Sequence, residues 1–119
     1  MTIDLIPICC YISTNLHDST FDTRLELLKT VVAMHDDWKC IDYIIDRDTR
    51  SGVNRPDLAN LIKRMIDGEI RYLVVTHLSV IHPNINKLQE LADMLKSHEC
   101  GIISIYENLN TLDMDTPLK

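Results

Sequence analysis

Asp48-Thr49-Arg50-Ser51-Gly52-Val53-Asn54-Arg55-Pro56-Asp57-Leu58 joins two apolar segments of different periodicity. Upstream, Ile41, Tyr43, Ile44 and Ile45 crowd into the run Trp38 to Asp46, as they would in a buried strand. Downstream, Leu58, Leu61, Ile62, Met65 and Ile66 recur at helical spacing, so they share one face of a helix. Proline after Arg55 suits the first turn of that helix, where its missing N–H would have had no partner. The stretch therefore reads as a strand-to-helix turn, and the rest of the chain repeats the alternation.

Toward the N-terminus, Ile3 to Ile12 predicts a first strand, with Pro7 tolerable near its start or at an irregularity. The polar run Ser13 to Thr20 leads to Phe21, Leu25, Leu28 and Val32, a helix ending near His35 with Ser19 or Thr20 as its cap. Toward the C-terminus, Gly68 closes the second helix, Tyr72 to Thr76 forms a third strand, and Ile85, Leu88, Leu91, Ala92 and Leu95 mark a third helix. Gly101 to Tyr106 is a fourth strand. This alternation predicts an α/β fold over residues 1–119 as one domain. It is a three-layer sandwich whose central, mostly parallel sheet of about four to five strands has helices on both faces.

Composition narrows the function. A formal charge of -6 opposes attraction to a polyanionic backbone, so this domain alone is expected to bind DNA weakly if at all. Cys9, Cys10, Cys40 and Cys100 have no CxxC spacing and read as reduced thiols, which fits a cytoplasmic location. Cys9 and Cys10 face opposite sides of the first strand. His35 with Cys40 and His98 with Cys100 lie on separate elements without ligand spacing, so no metal and no cofactor is expected. No apolar run approaches the roughly 20 residues that span a bilayer, and no membrane association is expected.

In an open parallel sheet the binding crevice lies beyond the carboxyl ends of the strands. Four segments converge there: Ser13 to Ser19, Arg47 to Asn54, His77 to Asn84, and Glu107 onward. They bring Ser13, Arg47, Asp48, Arg50, Ser51, Arg55, His77, Ser79 and His82 to one end of the fold.

Tyr11-Ile12-Ser13-Thr14, the Asp48 to Leu58 turn and Ile70 to Val75 together resemble the catalytic domain of the serine recombinases, the resolvase and invertase family. The resemblance covers essentially the whole chain, through Glu107-Asn108-Leu109-Asn110-Thr111. It implies a resolvase-like core in which Ser13 stands at the position of the nucleophile that attacks a DNA phosphodiester. Asp48 with Ser51 and Gly52 matches the family's Asp-x-x-Ser-Gly turn, and Arg55 matches the arginine that opens the next helix. Ser13, Asp48 and Arg55 are thus the candidate catalytic residues, with Ser51, Gly52, Arg47 and Arg50 as candidate substrate contacts.

The departures weigh against turnover. Tyr11 stands where the family has an arginine two residues before the serine. Leu78-Ser79-Val80-Ile81-His82-Pro83 stands where it has Leu-Asp-Arg-Leu-x-Arg. Guanidinium clamps carry phosphoryl transfer, and a single one is worth roughly 10³ to 10⁵ in rate. The chain also ends at Lys119, so the family's helical dimerisation segment and DNA-binding domain are expected to be absent.

The leading expectation is an inactive domain related to site-specific recombination, regulatory for a mobile element. It would work by pairing with an active recombinase or as a homodimer through the second and third helices. The alternatives are a catalytic fragment of an active serine recombinase using Ser13, and a small α/β module that seats a phosphorylated ligand at Ser51-Gly52 and a helix N-terminus. Each residue also has a plain structural reading. Ser13-Thr14 is a turn former, Asp48 and Arg55 form a loop salt bridge, and Glu107, Asp113 and Asp115 are a solvated acidic tail.

Overall fold

Alternation along the first strand decides how the layers assemble. In the computed structural model, which describes residues 4–14, 19–47 and 56–118, β1 spans Ile6–Thr14 and is buried along most of its length. Ile8, Cys10 and Ile12 point to one face of the sheet, and Cys9 and Tyr11 to the other. This is the period of two that an extended chain imposes. Successive elements are α1 (Phe21–Ala33), β2 (Trp38–Arg47), α2 (Pro56–Ile66), β3 (Tyr72–Val75), α3 (Ile85–Ser97), β4 (Gly101–Ser104) and β5 (Leu109–Asn110), with short 3-10 turns at Leu78–Val80 and Thr111–Asp113.

The sheet order is β2-β1-β3-β4-β5. β1 pairs in parallel with β2 and β3, β3 pairs in parallel with β4, and only β5 runs antiparallel. The expected three-layer α/β sandwich is what the chain forms. The α2 and α3 residues Leu58, Leu61, Met65, Leu88 and Leu95 pack on the face reached by Cys9, Tyr11, Leu73, Val75 and Ile102. On the opposite face Leu28, with Phe21, Leu25 and Val32 of α1, packs over Ile8, Cys10, Ile12 and Val74.

Several boundaries differ from the sequence expectation. β1 extends through Ser13 and Thr14, because these residues continue the ladder opposite Asp46 and Arg47 instead of leaving it for a turn. The irregularity sought near Pro7 lies just after it: Ile8 pairs with Cys40 and Cys9 with Asp42, leaving Ile41 unmatched. That extra residue puts Trp38, Cys40 and Tyr43 all on the α1 side. Thr20 does occupy the α1 N-cap position but makes no side-chain capping bond. β4 stops at Ser104 rather than Tyr106, since residues 105–108 turn the chain back into β5. Gly68 closes α2 with φ of +88°, a left-handed conformation that suits glycine. Among the described residues no helix is long and apolar enough to cross a membrane.

Candidate functional site

From β1 the chain moves outward to β2 in one direction and to β3 in the other, so the crevice between the carboxyl ends of β1 and β3 is the switch point of the sheet. A cavity of about 540 Å³ opens there. Ser13, Thr20 and Arg24 line one side, and His77, Ser79 and Tyr106 the other. Ser19 and Thr23 add further hydroxyls, Val80 supplies an apolar patch, and among the described residues no carboxylate contributes to the lining.

Arg24 forms the floor. It lies in the first turns of α1, only 8% exposed. Its Nη1 donates to the Ser13 carbonyl at 3.1 Å and its Nε to the Thr20 hydroxyl at 3.1 Å. The helix thereby grips the end of β1 through a charged donor, and such bonds are stronger than neutral ones. The sequence reading missed this residue; its available signal was a hydroxyl and a guanidinium one helical turn apart.

The opposite wall is built by the segment after β3. Thr76 is buried, and the backbone then enters the 3-10 turn Leu78–Val80. His77 Nδ1 and the Ser79 hydroxyl share a hydrogen bond of 2.6 Å, and the His77 ring lies nearly parallel to Tyr106, 13° apart at 5.9 Å between centroids. Glu107 pins this wall in place: its Oε1 accepts from the Leu78 N–H at 3.0 Å and from the Ser104 hydroxyl. The expectation that Glu107 belongs to a solvated tail is therefore corrected. Although its residue is exposed, its carboxylate ties the β3 and β4 ends together.

The positions of the departures are explicit. Tyr11 is fully buried, and its hydroxyl donates to Asp46 Oδ2 at 2.7 Å, on the residue that faces Ser13 across the ladder. Val80 and Ile81 are 3% and 4% exposed and join the same core cluster as Tyr11. Pro83 is exposed.

Of the residues singled out from sequence, Ser13 lies in the cavity, half-buried, together with His77 and Ser79. His82 instead turns to its own loop, its Nδ1 accepting from the Asn84 N–H at 3.0 Å. Arg47 is the last residue of β2, its backbone opposite Thr14. Asp48, Arg50, Ser51, Gly52 and Arg55 lie outside the described residues. No group of three or more His, Cys, Asp and Glu side chains suited to a metal occurs among the described residues.

The thiols are structural. Burial, with the charges of Asp42 and Cys40 adding to it, pushes Cys9 up to about 12. Burial likewise raises Cys10 and Cys100. The Cys100 thiol donates to the Met65 carbonyl at 3.3 Å. Protonated, enclosed thiols of this kind are poor nucleophiles.

A family model described as the resolvase N-terminal domain matches residues 8–119. In fold, the chain is similar to the N-terminal catalytic domain of TP901-1 integrase, with 21% identity over 88% of this chain and 81% of that one and a TM-score of 0.72. It is also similar to a resolvase-family site-specific recombinase from Streptococcus pneumoniae, with 11% identity, 92% and 78% coverage and a TM-score of 0.78. A third likeness is to the C-terminal catalytic domain of ISC1926 TnpA, an IS607-like serine recombinase, with 17% identity, 85% and 71% coverage and a TM-score of 0.65. None of the curated proteins matches.

Proposed function

Because the chain belongs to the resolvase N-terminal domain family, we propose that it is a serine-recombinase-like domain of site-specific recombination that no longer breaks DNA and acts by binding. The role we assign is regulatory: it holds a ligand or an active recombinase of the same mobile element through a fold whose strand-transfer chemistry has lapsed.

One observation carries this reading: two of the three positions that hold arginines in the family and not here are core. Tyr11 is fully enclosed and bonded to Asp46, and Val80, in the same core cluster, meets the Ser13 cleft only with apolar surface, so neither position delivers a guanidinium to the space above Ser13. Strand transfer requires charge stabilisation on the non-bridging phosphate oxygens as the serine Oγ attacks phosphorus and the 3′ oxygen leaves. Arg24 alone does not make up that clamp, because two of its N–H groups are engaged by the Ser13 carbonyl and the Thr20 hydroxyl and it is one guanidinium against three that are replaced.

The test is a trapping assay on DNA from the surrounding element, comparing the wild type with Ser13→Ala. The expected outcome is no SDS-stable protein linkage to a 5′ phosphate from either protein. A linkage formed by the wild type and lost in Ser13→Ala would overturn the proposal. It would favour the reading in which arginines of the 47–55 segment serve the serine. Added in trans, the domain is expected to alter the rate at which an active recombinase of the same element acts on its own sites.

A further inference from the structure

We propose that the outer edge of β2 is a docking surface for a second copy of this chain: two β2 strands pair antiparallel about a two-fold axis at Tyr43 and join two five-stranded sheets into one. This goes beyond the reading of a binding domain without strand transfer and holds whether or not Ser13 acts.

The two edges of the sheet are unequal. β5 gives one edge two residues, whereas β2 gives the other ten. A short edge is a poor template for further pairing and a long one a good template. Among the described residues nothing pairs with the outer side of β2, and Lys39, Ile41 and Asp42 along it are exposed. The Tyr43 N–H donates to the Asp42 carboxylate at 2.8 Å in an exposed bond. A backbone donor satisfied by a side chain of its own strand faces away from the ladder, toward the place a further strand would take.

The bulge in β2 determines which strand fits there. Ile41 drops out of the ladder, because Ile8 pairs with Cys40 and Cys9 with Asp42. With Ile41 left out, Lys39 stands three ladder positions before Tyr43 and Asp46 three positions after it. In an antiparallel pair centred on Tyr43, Lys39 of each copy therefore meets Asp46 of the other, which gives two opposite-charge pairs. Both residues lie on the α2 and α3 side: Asp46 accepts from Tyr11 there, and Lys39 alternates with Trp38 and Cys40, which face α1. On the α1 side Cys40 meets Ile45, and the two Tyr43 rings meet at the axis. Opposite-charge and aromatic cross-strand pairs stabilise an antiparallel ladder. Were Ile41 in the ladder, the two charges would be out of step, and a slip of one residue would oppose side chains of different faces. An unrelated strand has no reason to repeat this spacing, but a second copy has it by symmetry.

Sedimentation of the full chain at rising concentration tests the proposal. A monomer–dimer equilibrium is expected in the micromolar to submillimolar range. Lys39→Glu sets like charges opposite each other twice and should weaken the dimer by roughly tenfold or more. Asp46→Asn, which keeps an acceptor for Tyr11, should weaken it several-fold. Asp42→Ala releases the Tyr43 N–H for the partner strand and should tighten it. In a Cys40→Ser background, mild oxidation should link Tyr43→Cys into a covalent dimer, since directly opposed residues have Cα atoms about 5.5 Å apart. Lys39→Cys, remote from its counterpart in this register, should stay unlinked.

The edge pairing is overturned if the chain remains monomeric throughout that range, if the dimer is indifferent to Lys39→Glu, or if Lys39→Cys links as readily as Tyr43→Cys. None of these readouts involves DNA, so the outcome is separate from the test for strand transfer.

Discussion

The sheet is closed on one face and only half closed on the other. On the α2 and α3 side, Cys9, Tyr11, Leu73, Val75 and Ile102 are each fully buried, and Val80 and Ile81 complete the layer. On the α1 side a single helix covers Ile8, Cys10 and Ile12, while Trp38, Ile103, Ile105 and Leu112 stay half-buried. There an open groove of about 550 Å³ runs past Ile6, Trp38, Tyr72 and Ile103. The groove and the Ser13 cleft are nearly equal in size and opposite in origin: one is left beside a layer of a single helix, the other is built by polar side chains at the strand ends. Two of the three positions that the resemblance gives to arginines, Tyr11 and Val80, belong to the tight face, where a change of shape is costly, whereas Pro83 is exposed.

Substitutions on the two faces should expose that asymmetry, and the largest effects are expected on the closed one. Tyr11→Ala removes a fully buried aromatic and strands Asp46, at a cost of about 3–5 kcal/mol. Val80→Arg places a guanidinium between the apolar core and the Ser13 cleft and is expected to cost about 2 kcal/mol. Ile105→Asn, on the open face, should cost only about 1 kcal/mol. Urea midpoints would decide the matter. If Val80→Arg unfolds at the wild-type midpoint, its guanidinium enters the cleft freely and the closed face is not what keeps arginine away from Ser13.

Between these extremes lies Arg24. Replacing it by alanine leaves the Ser13 carbonyl and Thr20 hydroxyl without their guanidinium donor and should cost about 1–3 kcal/mol. Lysine should recover only part of this, because one ammonium cannot reproduce the two divergent N–H directions. An unchanged midpoint in Arg24→Ala would mean that the end of β1 does not depend on α1 for its position.

How far the sequence could be read follows from these contacts. Long periodic segments announced themselves: Leu58, Leu61 and Met65 share the helix face that packs on the sheet, and the apolar run of β1 is buried as expected. β5 could not be read, because two residues carry no period; Leu109 and Asn110 join the sheet through pairing with Ile103 and Ser104. In the cleft, Ser13, His77 and Ser79 were legible because they lie at or just beyond strand ends. Arg24 was not, since a charge on an amphipathic helix ordinarily faces water and only the three-dimensional path of β1 places a carbonyl above it. The expected fourth strand runs to Tyr106, whereas the chain turns two residues earlier and leaves the ring at the mouth of the cleft.

The smallest effect expected is also the most direct comparison of the two faces, because adjacent residues of one strand report on each. Cys9 looks toward α2 and α3, and Cys10 toward α1. With Cys40, Cys100 and either Cys9 or Cys10 replaced by serine, single-thiol versions should react with a disulfide reagent only through opening, and Cys10 should be modified several-fold faster than Cys9 because a single helix shields it. Equal rates would indicate that the faces open together and that the asymmetry is one of packing alone. The same thiols set a pH dependence. Burial raises their folded values, Cys9 to about 12, whereas unfolded cysteine titrates near ~8.5. The unfolded chain therefore loses its thiol protons first. The stability that protonated thiols contribute is complete below ~8.5 and declines as pH rises from there toward 12. Cys9→Ala would forfeit packing but flatten that alkaline decline; a decline as steep as that of the wild type would assign the loss to other groups.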